Sequence, residues 1–173
     1  MRMWKVLDST LQFEGWRIRV RTDRLLNPDG QEVTRDVVEH PGAVTIVARP
    51  APDEVLLIRQ YRHATGEELI ELPAGTREPG EEPIATARRE LEEETGWVAG
   101  RIEPLAEFYT APGFTDERMF LFDASELTEK EQQLEADEFI TLVRVHRDDA
   151  LAMIRDGRIA DAKTIVGLLM VFR

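Results

Sequence analysis

Residues 75–97 read GTREPGEEPIATARRELEEETGW. Pro83 suits the first turn of a helix, where its missing N–H costs no hydrogen bond. Glu81 and Glu82 beside it complement the positive end of a helix dipole. Ile84, Ala87 and Leu91 recur at spacings of three and four, which gives one apolar stripe. Gly96 supplies the residue that ends a helix in a left-handed conformation. The spacing therefore predicts a helix over residues 83–95.

At about 100° per residue, Glu93 and Glu94 flank Glu90 on one face, and Glu92 points away. Like charges at these spacings destabilise a helix, so the face calls for a compensating cation. Hard carboxylate oxygens favour Mg²⁺, or Mn²⁺ in its place, and Mg²⁺ commonly bridges one or two carboxylates to substrate phosphates. Taken alone, the helix also admits a simpler reading, a solvated acidic face paired with Arg88 and Arg89.

The residues before the helix favour the metal. Gly75, five residues, Glu81, seven residues, Arg89-Glu90-Leu91, one residue, Glu93-Glu94, one residue, Gly96 and an apolar residue form a pattern that resembles the signature of the Nudix hydrolases. Trp97 departs mildly from it, since an aliphatic residue is usual there. The resemblance implies an α/β/α sandwich with a mixed sheet, in the α/β (α+β) class. It also implies an enzyme whose metal ligands are Glu90, Glu94, the Ala74 carbonyl and Glu93, the last also able to orient water. Arg89 would pair with Glu81 and hold the loop, with Gly75 and Gly96 as its structural glycines.

Composition narrows the partners. A chain of 173 residues with 42% apolar and 32% charged residues fits one globular domain. A formal net charge of −12 argues against nucleic acid and anionic membranes as partners. No run approaches the ~18 apolar residues of a membrane span, and the N-terminus lacks the features of a signal peptide. With no cysteine there is neither disulfide nor thiolate metal site; the cytoplasm is the expected location. Only Lys5, Lys130 and Lys163 of the 22 basic residues are lysine, and arginine is the better fork for phosphate.

Along the chain, residues 1–40 have their own texture and read as a β arm ahead of a catalytic domain over 41–173. Trp16, Ile18 and Val20 alternate with arginines as in a half-exposed strand. Asn27-Pro28-Asp29-Gly30 is a turn signal, and 31–39 reads as a second strand. Two strands alone are marginal, so the arm either lies on the domain edge or exchanges with a second subunit in a homodimer. Further strands are expected over 43–48, 55–61, 69–72, 101–109, 117–123 and 139–145. Helices are expected over 149–156, capped by Asp148, and from Asp161 to the C-terminus.

Segments outside the box bear on the substrate. Pro112, 16 positions after Gly96, and its surroundings from Tyr109 to Glu117 are similar to the ADP-ribose pyrophosphatase subgroup, as are Arg59-Gln60-Tyr61-Arg62-His63 and Glu71-Leu72-Pro73-Ala74-Gly75. That likeness implies Mg²⁺-dependent cleavage of ADP-ribose to AMP and ribose 5-phosphate. Arg62 would contact phosphate or the terminal ribose, Arg35 and Asp36 would lie near the nucleotide, and Glu117 would hold the terminal ribose. Trp16 could stack on adenine. The family's mobile acidic loop falls at Glu135-Ala136-Asp137-Glu138, leaving Glu135, Asp137 and Glu138 as candidate bases beside Glu93 and Glu94. GDP-mannose, FAD or NADH are alternative substrates, and a non-catalytic ADP-ribose sensor is the alternative from another class.

Overall fold

The computed structural model describes residues 3–134 and 139–172. These divide into two compact units, one running up to Gly42 and including Tyr109–Arg118, the other formed by Ala43–Phe108 and Met119 onward.

In the first unit, β1 (Lys5–Glu14), β2 (Arg19–Leu26) and β3 (Glu32–Glu39) form an antiparallel sheet in that order. The turn signal works as its chemistry requires. The Asn27 side-chain oxygen accepts from the backbone N–H groups of Asp29 and Gln31 at 3.0 and 2.9 Å, a local bond that favours a turn over a continuing strand. The sheet has three strands where two were expected. β1 went unread because all ten of its side chains are exposed, so burial imposes no alternation on its sequence. Trp16 lies in the β1–β2 turn rather than in a strand, 86% exposed, with Arg17 over its ring at 4.6 Å. The segment 109–118 joins this unit through Val38, which donates to Phe114 O at 2.8 Å and accepts from Thr115 Oγ1 at 2.9 Å.

The second unit is built around β4 (Ala43–Ala48), whose six residues are all buried. Such an unbroken apolar run belongs to a strand covered on both faces. The other strands are β5 (Glu54–Arg62), β6 (Glu67–Glu71), β7 (Ala74–Thr76), β8 (Trp97–Tyr109), β9 (Arg118–Glu129) and β10 (Ile140–His146), and the helices are α1 (Pro83–Thr95), α2 (Arg147–Arg155) and α3 (Ala162–Val171). Among the described residues the sheet has seven strands, in order β10-β5-β4-β9-β8, with β6 on β5 and β7 on β4. β4 and β9 are parallel and the β5 pairings are antiparallel, which makes the sheet mixed. Val44, Ile46 and Ala48 face Ala87 and Leu91 of α1, while Val47 packs with Leu168 of α3 and Met153 of α2. The result is an α/β/α sandwich. No helix among the described residues is long and apolar enough to cross a membrane.

Two helix starts show how local chemistry decides. Asp161 caps α3, its carboxylate accepting from Thr164 N at 3.0 Å. The cap of α2 is His146, not Asp148, because His146 Nδ1 accepts from Asp148 N at 3.3 Å and Asp148 is itself inside the first turn.

One irregularity positions the site. β4 pairs with β5 at only one position, Ala48 with Leu56, and the two then diverge. The chain leaving β6 fills the gap: Pro73 O accepts from Ile46 N at 2.9 Å and Thr45 Oγ1 at 3.3 Å, and β7 then pairs with the start of β4.

Candidate active site

Helix α1 spans the residues its sequence signals mark, beginning with Pro83 at N1 and ending at Gly96, whose φ of 70° lies in the left-handed region. Its buried residues are Thr86, Ala87, Glu90, Leu91, Glu94 and Thr95. The acidic face is thus partly the inward face. Ile84 instead is 41% exposed, at the rim of a cavity of about 390 Å³ that it shares with Pro83, Leu105 and Phe120; none of the box glutamates from 90 to 94 lines it.

Buried carboxylates need partners, and β7 supplies them with a floor. Glu94 Oε2 accepts from the backbone N–H of Ala74 at 2.9 Å. Glu90 lies directly against Gly75: a Cβ there would sit 1.9 Å from the Glu90 Cδ. Only glycine leaves space for that carboxylate beside the Ala74–Gly75 backbone.

Arg89 is the cationic hub of the same face. It donates to Glu81 through Nε and Nη2, both at 3.3 Å, and its Nη1 reaches Glu90 at 2.8 Å and Glu93 at 2.9 Å. Part of the repulsion among the acids is therefore relieved by a guanidinium. Burial works against the charge of Arg89, but Glu81, Glu90 and Glu93 outweigh it and hold its pKa above the ordinary guanidinium range. Bonding to Arg89 likewise holds the Glu81 carboxyl below its ordinary range. Glu92, on the other side, pairs with Lys130 at 2.7 Å.

The C-terminal end of α1 is tied to the chain that approaches the second acidic stretch. Gly96 N donates to Glu92 O at 2.9 Å, Gln133 N to Glu93 O at 3.0 Å and Gln132 Nε2 to Glu94 O at 2.5 Å. These bonds satisfy the carbonyls a helix end leaves open. The candidate bases Glu135, Asp137 and Glu138 lie outside the described residues.

Arg62, at the end of β5, forms a two-bond fork with Glu71, Nε to Oε1 at 2.9 Å and Nη2 to Oε2 at 2.8 Å. That bonding raises the Arg62 pKa, with the Glu94 and Asp161 charges adding to it. Glu71 is 1% exposed. Its burial pushes its pKa up, but Arg62 and Lys163 more than offset this and leave it below the ordinary range. Sequence reasoning gave Glu71 and Lys163 no role of their own. The available signal was a carboxylate flanked by Leu69, Ile70 and Leu72, two residues before Pro73-Ala74-Gly75.

The remaining sequence candidates lie in the first unit. Arg35 and Asp36 are on β3, where Arg35 bonds Thr34 O at 2.7 Å with Trp4 beneath it, and Asp36 accepts from Thr22 Oγ1 at 2.6 Å. Pro112 and Glu117 are on the 109–118 segment; Glu117 accepts from Thr110 Oγ1 at 2.5 Å and stands 3.6 Å from His40 Nδ1. Trp16 is exposed in its turn, with Arg17 over its ring.

The donor set fits a hard divalent cation. Glu90 and Glu94 are seated beside the Ala74–Gly75 backbone, with Glu93 at the rim. Among the described residues no three acidic or histidine side chains gather around one point.

Comparison with known proteins identifies the family. The NUDIX domain profile matches residues 39–166. The chain is 39% identical over 166 residues to the methanol dehydrogenase activator of Bacillus methanolicus, covering 95% of this chain and 90% of that protein. It is 39% identical over 154 residues to the ADP-ribose pyrophosphatase of Bacillus subtilis (strain 168), covering 88% and 83%. It is 36% identical over 135 residues to the GDP-mannose pyrophosphatase of Yersinia pestis (strain Pestoides F), covering 72% and 67%. A crystal structure of an ADP compounds hydrolase superposes with a TM-score of 0.85 at 23% identity, covering 97% of this chain and 91% of that one, and supports the fold. The chain belongs to the Nudix family.

The lowered carboxyls give a pH dependence with a definite sign. Glu71 and Glu81 titrate below their ordinary range in the folded state, so the unfolded chain binds more protons as the solution is acidified. Their stabilisation is complete above the unfolded glutamate pKa of about 4.3 and is lost as pH falls through the folded values. Thermal melts followed by circular dichroism should give a midpoint that falls as the pH drops below about 4.3, and Glu71→Gln should flatten that slope. An unchanged acid slope in the variant would contradict the assignment.

Proposed function

We propose that this protein hydrolyses the pyrophosphate of ADP-ribose to AMP and ribose 5-phosphate, using Mg²⁺, with Mn²⁺ as a substitute. The observation that carries this reading is the seating of Glu90 and Glu94 against Ala74–Gly75. The relatives named ADP-ribose pyrophosphatase support the substrate.

Pyrophosphate resists water because its negative charges repel a nucleophile. The Ala74 carbonyl, Glu90, Glu94 and Glu93 would hold the cation, which would supply charge neutralisation and lower the pKa of a bound water. The protein's own groups do the rest. Glu90 and Glu94 are fixed by β7 before substrate arrives, so little reorganisation remains for the reaction itself. Glu93, more exposed than its neighbours and held at one oxygen by Arg89, orients the attacking water. A carboxylate, from Glu93, Glu94 or the 135–138 stretch, takes the proton as general base. Arg62 presents charge to a phosphate. Arg35, Asp36, Pro112 and Glu117 contribute to nucleotide and ribose binding, and Trp16 offers an exposed ring for adenine.

We also assign the three-stranded sheet as the contact to a second copy of the chain. Val6 and Leu11, opposite Leu25 and Arg21, share one face of the sheet, and they, Trp4 and Phe13 are all more than 40% exposed along or beside β1; grouped exposed apolar side chains mark an association surface.

The test of activity is release of AMP from ADP-ribose with Mg²⁺, with GDP-mannose, FAD and NADH as parallel substrates. Glu94→Gln should lose at least ~10²-fold in turnover, the scale for removing a positioned catalytic group, while its melting curve stays cooperative. Near-normal turnover would remove Glu94 from the site. Preference for GDP-mannose would reassign the substrate, and binding of ADP-ribose without cleavage would make the protein a sensor. Light scattering should give the mass of two chains; a fully active species of one chain's mass would overturn the dimer assignment.

A further inference from the structure

Glu71 is almost wholly buried, yet it meets two cations from different parts of the fold. Arg62 engages both of its oxygens, and Lys163 of α3 bonds to Oε2 and lies 3.0 Å from Asp161. Beside this pair, Leu72 N donates to Thr164 Oγ1 at 2.8 Å, and Thr164 donates in turn to Asp161. The first turn of α3 is thereby stitched to the residues that lead into Ala74.

The fork has a chemical consequence. A guanidinium carries five N–H groups in one plane. Glu71 takes Nε–H and one N–H of Nη2, so the plane is fixed and rotation about the last side-chain bonds is removed. The Nη1 edge makes no hydrogen bond to any described residue, and Arg62 is 36% exposed at its side chain. An arginine held by a buried carboxylate on one edge and open on the other is pre-organised to take an oxyanion, because the ordering entropy is met before the ligand binds.

Resting on the pyrophosphatase reading, we propose that Glu71 is a positioning residue for substrate: it fixes Arg62 so that the Nη1 edge receives a phosphate oxygen of the pyrophosphate, and Lys163 anchors Glu71 to α3. Glu71 touches no substrate and acts through Arg62 alone.

That dependence is testable by a double-mutant cycle with two readouts, KM for ADP-ribose and calorimetric affinity for inorganic pyrophosphate in the presence of Mg²⁺. Glu71→Gln should weaken both by roughly 10-fold or more, the scale of one charge-assisted hydrogen bond, with a smaller change in kcat. In an Arg62→Ala background the same substitution should change neither by more than about twofold, since coupled groups are non-additive. Equal factors in the two backgrounds would overturn the proposal and leave Glu71 a fold element only. Arg62→Lys, which keeps the charge but cannot form the fork, reads the same question if Glu71→Gln fails to fold. It should bind pyrophosphate as weakly as Arg62→Ala; affinity equal to the unmodified protein would overturn the proposal. If the unmodified protein leaves ADP-ribose intact while the pyrophosphate cycle behaves as stated, the substrate reading falls and the Glu71–Arg62 coupling stands.

Discussion

The contact on which the rest of the structure depends is the seating of two carboxylates against a glycine. Glu90 occupies the space a Gly75 side chain would need, and Glu94 is held by the neighbouring Ala74 N–H. Carboxylates on a buried helix face are costly unless paired. Here the cost is met by a strand that exists only because β4 and β5 part after one residue pair. The split in the sheet, the β6–β7 corner that fills it and the inward acids of α1 are one device.

Charge is distributed around that device in two small networks. Arg89 gathers Glu81, Glu90 and Glu93 and fastens the loop ahead of α1 to the helix. Glu71 gathers Arg62 and Lys163 and fastens β6 to α3. Both use arginine where a fork is needed. The charge of Glu94 also favours the charged form of Arg62. The Glu71 network, with two cations to one carboxylate, carries local positive charge in a chain whose net charge is −12.

What the sequence made legible was what local chemistry determines. Proline at N1 and glycine past the C-terminus bound α1, the turn after Leu26 follows from Asn27, and Asp161 caps α3. β1 was not legible, because ten exposed residues leave no burial pattern to read. The apolar stripe was legible only in part: Ala87 and Leu91 are buried, while Ile84 lines an open cavity and its place on the inward face is taken by Glu90 and Glu94. The relief that Arg89 gives the acids depends on a loop folding back eight residues. The link between Glu71 and Lys163 joins positions 92 apart, beyond the reach of any local pattern.

The central claim is that Gly75 matters because of the carboxylate lying on it. A titration of free Mn²⁺ by electron paramagnetic resonance, on the unmodified protein and on Gly75→Ala, tests that claim with no substrate present. The alanine variant should remain folded but bind Mn²⁺ at least ~10-fold more weakly, the scale for displacing a group that orients a metal ligand. Equal Mn²⁺ affinity in a folded Gly75→Ala protein would contradict it.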